Sequence, residues 1–155
     1  MKPTLFFSGI APLWPVKLLL SLILIVGACL HVFQRELPMA RILTANMLIL
    51  TGAFLELWHY RILKRGAGAL GAPAQLVTRG GFLRVIRHPM YSGDVVMLFG
   101  FALLMSHPVG WGVFALFVGV VLGLCAQEDQ AMAKQFPEPF AEWRKHTWRV
   151  FPGIV

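Results

Sequence analysis

Two long apolar runs restrict what this chain can become. Residues 13–33 read LWPVKLLLSLILIVGACLHVF and residues 42–60 read ILTANMLILTGAFLELWHY. A hydrocarbon layer about 30 Å thick takes roughly 20 apolar residues in helical form. Inside it, each backbone amide must find its partner within the same helix. Both runs are therefore predicted to span a membrane. Two further apolar stretches, 92–106 and 111–126, are shorter and flank SHPVGWG, where Pro108 and Gly110 mark a turn. They are expected to form a tightly packed helical hairpin. The predicted fold class is all-α: one domain, 1–155, built as an integral membrane bundle of about four helices. Lys17, in the first turns of the first span, is expected to reach outward to the headgroups.

Composition agrees with the spans. Only 14% of residues are charged and 57% are hydrophobic, with mean hydropathy +0.69. Soluble domains carry about 25% charged residues. The net charge of +7 is read as an orientation signal and as contacts to anionic lipid or an anionic ligand, with no nucleic-acid partner expected. With four crossings, only Arg35 and Arg41 of the 14 Lys and Arg fall on one side. The other side, with both termini and the 61–91 loop, is predicted to be cytoplasmic, in a bacterial inner membrane. Cys29 and Cys125 both lie in apolar runs and are expected to be small packing residues, not a disulfide.

The stretch RVIRHPMYSGD, residues 84–94, puts two arginines, a histidine, a tyrosine and an aspartate directly before the third apolar segment. Pro89 suits the first turn of a helix, and the unpaired amides of a helix start favour an anionic group. If the third and fourth segments go out and return, His88 and Glu128 meet at the cytoplasmic rim. QEDQ, 127–130, is expected to close the fourth helix there.

Other signals have simpler readings. GAGALG, 66–71, matches a dinucleotide pattern in letters, but such a pattern works between a strand and a helix; here it is expected to be a flexible linker. Glu56 and His59 have the i, i+3 spacing of a carboxylate-bridged metal half-site. The second ligand set is missing, since His31 and His107 map to the far side. What remains is interfacial anchoring by Trp58, His59 and Tyr60, with a role for Glu56 lining a polar pocket left open. Gly119 and Gly123 are expected to pack helices within the bundle. The tail from 127 to 153 mixes aromatic and basic residues, and Pro137 and Pro139 are expected to interrupt any helix; it reads as an interfacial segment or as a lid.

LVTRGGFLRVIRHPMYSG, with EDQAMAKQFPEPFAEWRKHTWRVFP further on, resembles the isoprenylcysteine carboxyl methyltransferase and phospholipid methyltransferase superfamily over residues 75–153. The resemblance implies an integral membrane methyltransferase using S-adenosylmethionine. It implies cofactor contacts in two cytoplasmic segments, 75–91 and 127–153, from Gln75, Leu76, Val77, Leu83, His88, Pro89, Met90, Tyr91 and Glu128. The chain departs from the pattern in places. One extra residue lies between Thr78 and His88, so that Phe82 or Leu83 takes the aromatic position. Asp129 stands for a second glutamate, and Pro137 stands for a glycine. Leu124 occupies the place of an arginine associated with a substrate carboxylate in the isoprenylcysteine enzymes.

The predicted function is transfer of a methyl group to a lipophilic acceptor, whether carboxylate, amine or thiol, arriving from the membrane lipids. Arg87 is the candidate for a charge contact at the reaction, and Glu56 heads the candidates for proton acceptor, followed by Asp94 and Asp129. The sequence leaves the oligomeric state open. The rival readings are a small transporter and a membrane scaffold.

Overall fold

The computed structural model describes residues 13–69, 72–73, 76, 78 and 80–153. Two long helices come first: α1, Leu13–Gln34, and α2, Met39–Ala67. A single 3-10 turn, Gly81–Arg84, leads into α3, Pro89–Met105. Helix α4, Pro108–Gln135, and the short α5, Pro137–Lys145, complete the chain. Three helices are long and apolar enough to cross a membrane: α1, α2 through Lys64, and α4. Helix α3, with 17 residues, is the shorter apolar partner. The all-α membrane bundle predicted from the apolar runs is the architecture observed.

The fourth helix differs from the prediction. It does not close at residues 127–130 but continues to Gln135. Its 28 residues span about 42 Å at about 1.5 Å per residue, more than the hydrocarbon core needs. Glu128 lies about 30 Å along it from Pro108, so the charges mark the level of a membrane rim and not the helix end. Helix α3 starts at Pro89, ahead of the apolar run, in keeping with proline's preference for a first turn, and the Ser92 hydroxyl is satisfied by His88 O and Val150 O.

In lipid, apolar burial supplies little net attraction between helices, so close backbone approach and polar contacts must do so. Helices α2 and α3 meet in this way. A Cβ placed on Gly93 would lie 2.7 Å from Gly52 O, and one on Gly100 would lie 2.7 Å from Ala45 O. These glycines, not Gly119 and Gly123, are the tight contacts. Gly119 has nothing within 4 Å of a Cβ, and Gly123 would meet only Leu13. Helix α1 packs on α3 and α4 around Leu24, Leu98, Phe117, Val121 and Leu124. Large apolar side chains such as Leu19, Leu22, Met47, Leu50 and Leu116 face outward, as a lipid solvent permits. Cys125 is buried and Cys29 is exposed, so only Cys125 is a packing residue.

At the far end, Ser106 adopts the left-handed conformation (φ 47°) and its hydroxyl accepts from Arg41 Nη1 at 2.7 Å. The His107 ring then accepts from Val109 N and caps α4. At the rim, Pro137 sits at the start of α5 and begins a helix where an interruption was expected, consistent with proline's preference for a first turn. Within GAGALG, Gly66 and Ala67 belong to α2, and Gly68–Ala69 pairs antiparallel with Ala72–Pro73. Leu70 and Gly71 lie outside the described residues.

Candidate functional site

The rim site is built where the chain enters α3. Gly80 (φ 117°) and Gly81 (φ 51°) take backbone conformations that side chains disfavour, turning the chain under α2. There the Phe82 amide donates to His59 Nε2 at 3.1 Å, while His59 Nδ1 donates to Leu55 O at 3.0 Å. Both ring nitrogens are thereby used by backbone, and His59 is fully buried. It is a tie between α2 and the turn, neither an interfacial anchor nor a metal ligand. Trp58, 40% exposed, and Phe82 pack edge to face outside it.

The tail then docks alongside. Trp148 N donates to Val85 O, Arg87 N to Trp148 O, and His88 N to Arg149 O. The Arg87 side chain is buried and its Nη1 donates to Thr147 O, Thr147 Oγ1 and Arg144 O. Trp143 Nε1 donates to Leu83 O at 2.9 Å. Arg87 therefore holds the segment after α5 against the start of α3. Its Nη2 is buried with no hydrogen-bond partner among the described residues, and its Nε lies 3.5 Å from Asp129 Oδ1.

From this base, α3 and α4 bring their polar residues together. His88 Nε2 donates to Asp129 Oδ1 at 2.8 Å, and His88 Nδ1 lies 3.4 Å from Glu128 Oε2. Tyr91 Oη donates to Glu128 Oε1 at 2.7 Å. Arg149 Nε reaches Asp129 Oδ2 at 3.1 Å. Asp129 is thus enclosed by His88, Arg87 and Arg149, whereas the Glu128 side chain keeps 27% exposure. Burial disfavours the imidazolium of His88, but its hydrogen bonds to Asp129 and Glu128 outweigh that and hold it above the ordinary histidine value. Burial likewise lowers Arg87, opposed by Asp129.

The expected residues fall into separate places. His88, Tyr91 and Glu128 share one cluster. Pro89 and Met90 form the first turn of α3 beside it, and Leu83 is buried under Trp143. Leu76 is half-buried, while Gln75 and Val77 lie outside the described residues. Glu56 sits deeper on α2, within electrostatic reach of Asp94 and Lys17. Lys17 does not reach outward: it is 6% exposed and its Nζ lies 2.6 Å from Asp94 Oδ2. Sequence reading missed this pair and the role of Arg149. A charge inside one apolar run and an opposite charge inside another was the available signal, since charges in hydrocarbon seek partners.

A helical membrane bundle with buried charged side chains gathered at one rim, beneath a docked C-terminal tail, defines a class of membrane protein with a polar site at the lipid–water boundary. The chain belongs to the phospholipid methyltransferase family, whose model matches residues 40–139. No curated protein and no solved structure matches it.

Proposed function

We propose that the chain transfers a methyl group from S-adenosylmethionine to a lipophilic acceptor that enters from the bilayer, with the cofactor held at the cytoplasmic rim. The observation that carries this reading is the meeting of His88, Tyr91 and Glu128 at the start of α3 and the late turns of α4, in a chain of a methyltransferase family. The residues present fit such a cofactor. Glu128 is the partly open carboxylate of the cluster and suits ribose hydroxyls or an ammonium. His88, whose ring nitrogens face Asp129 and Glu128, and the buried Nη2 of Arg87 that lacks a partner among the described residues, suit a carboxylate. When bound, the cofactor supplies an electrophilic methyl group on a sulfonium. The chain's own part is to position and to exclude water.

Within this reading, Leu76, Leu83, Pro89 and Met90 line the cofactor side with His88, Tyr91 and Glu128, and Gln75 and Val77, outside the described residues, are further candidates for cofactor contact. Arg87 keeps the tail closed over the site. Glu56 is the first candidate to take a proton from the acceptor, because Asp94 is paired with Lys17 and Asp129 is enclosed by three cations. The acceptor is a lipid or another lipophilic molecule, and both chain termini face the cytoplasm of a bacterial inner membrane.

Isothermal titration of S-adenosylhomocysteine into detergent-purified protein tests the site. Saturable one-site binding is expected. Glu128→Ala and His88→Ala should each weaken it about tenfold or more, the scale of a lost charge-assisted hydrogen bond, while helical content is retained. Unchanged affinity in both variants would remove the cofactor assignment. Absence of binding to the unaltered protein, in detergent and in lipid nanodiscs, would favour the transporter or scaffold.

A further inference from the structure

One buried charge group has no part in the proposed reaction. Lys17 on α1 meets Asp94 on α3 at 2.6 Å, and both side chains are less than 10% exposed. Lys17 Nζ also lies 4.7 Å from the centroid of the Trp14 ring and 5.1 Å from that of Tyr91. Those two rings are 6.3 Å apart, so the ammonium is held by two aromatic rings and a carboxylate. Glu56 acts on the same pair from α2. The other end of Tyr91 donates to Glu128 and its ring lies 5.9 Å from that of His88. A single side chain therefore connects the intramembrane cation to the rim cluster.

We propose that Lys17, held by Asp94, is a positioning residue for the rim site: its ammonium pins the Tyr91 ring so that the phenol stays on Glu128. The proposal rests on the reading of that cluster as the cofactor site. Three physical points support it. The ion pair with Asp94 by itself would join α1 to α3, but helix cohesion does not require the ammonium to sit against two aromatic rings as well. A cation on an aromatic ring is attracted more strongly once both are desolvated, and this contact favours one ring orientation. Finally, Trp14 and Lys17 lie outside residues 40–139, the segment matched by the family. The first helix thereby contributes to a site that the matched segment does not hold by itself.

The chain has two tyrosines, Tyr60 and Tyr91, which permits a direct test. Protein labelled with 3-fluorotyrosine gives two fluorine resonances, assigned with Tyr60→Phe. Lys17→Met leaves Asp94 unpaired in the membrane, so Lys17→Met/Asp94→Asn is the companion variant that keeps the charge balanced. The Tyr91 resonance should shift or broaden in the double variant while that of Tyr60 stays, and Lys17→Arg should restore it. S-adenosylhomocysteine affinity should fall roughly three- to tenfold in the double variant, part of a charge-assisted hydrogen bond. The same change made in a Tyr91→Phe background should cost nothing further.

An unmoved Tyr91 resonance in the folded double variant would overturn the proposal. So would an affinity loss that is equally large in the Tyr91→Phe background, since it would show a general structural effect. If the unaltered protein binds no S-adenosylhomocysteine, the cofactor reading fails instead, and the fluorine spectra still decide whether Lys17 sets Tyr91.

Discussion

At the scale of single residues, the site depends on which groups carry charge. His88 titrates above the ordinary histidine value because Asp129 and Glu128 hold its imidazolium against the cost of burial. A group whose folded value is raised stabilises the fold fully below its unfolded value, near pH 6.5, and loses that contribution as pH rises through the folded value. The melting temperature in detergent should therefore decline as pH rises above about 6.5 and through the raised folded value. His88→Gln should remove the part of the decline due to this group. Parallel slopes for the two proteins would mean that His88 is not the group responsible. The approach of His88 to Glu128 was legible in the sequence, because two adjacent spans must return to the same rim. The enclosure of Asp129 by Arg87 and Arg149 was not, since Arg149 arrives from a tail whose path no periodicity encodes.

At the scale of elements, the helix pair α2 and α3 is joined through glycine. A methyl group on Gly93 would meet Gly52 O at 2.7 Å and Glu56 N at 3.0 Å, and backbone cannot move aside as a flexible side chain can. Gly93→Ala should lower stability by about 1–3 kcal/mol, the range for overpacking. Gly119→Ala should do the opposite: its Cβ has open space, and alanine favours a helix over glycine by about 1 kcal/mol. Thermal or denaturant unfolding of the two variants measures both. Equal effects would refute the packing assignment. The G-x-x-x-G spacing on α4 pointed to the wrong pair. Spacing finds small residues on one helix face but does not say which face has a neighbour.

At the scale of the whole molecule, membrane spans, a polar rim and a docked tail make one unit. The proposed orientation, with the rim site toward the cytoplasm, rests on the basic residues that concentrate on that side. A green fluorescent protein fused after Val155 should therefore fluoresce when the chain is expressed in a bacterial inner membrane, while an alkaline phosphatase fused there should stay inactive. The reverse pair of results would invert the orientation and place the proposed cofactor site on the wrong side for a cytoplasmic cofactor.

The sequence by itself determined the solvent, the helical class and the level at which polar chemistry collects. Hydrocarbon tolerates only apolar stretches of spanning length whose amides are satisfied internally, and both properties are written locally along the chain. It also determined that RHPMY opens a helix, because proline's missing amide belongs at a first turn. Tertiary structure decided the rest. The burial of Lys17 on Asp94, the neutral tie made by His59 and the clamp of Arg87 on Thr147 each depend on a partner supplied by a distant segment. A charged side chain in an apolar helix can face lipid, water or an opposite charge, and only the packing of the other helices selects among them.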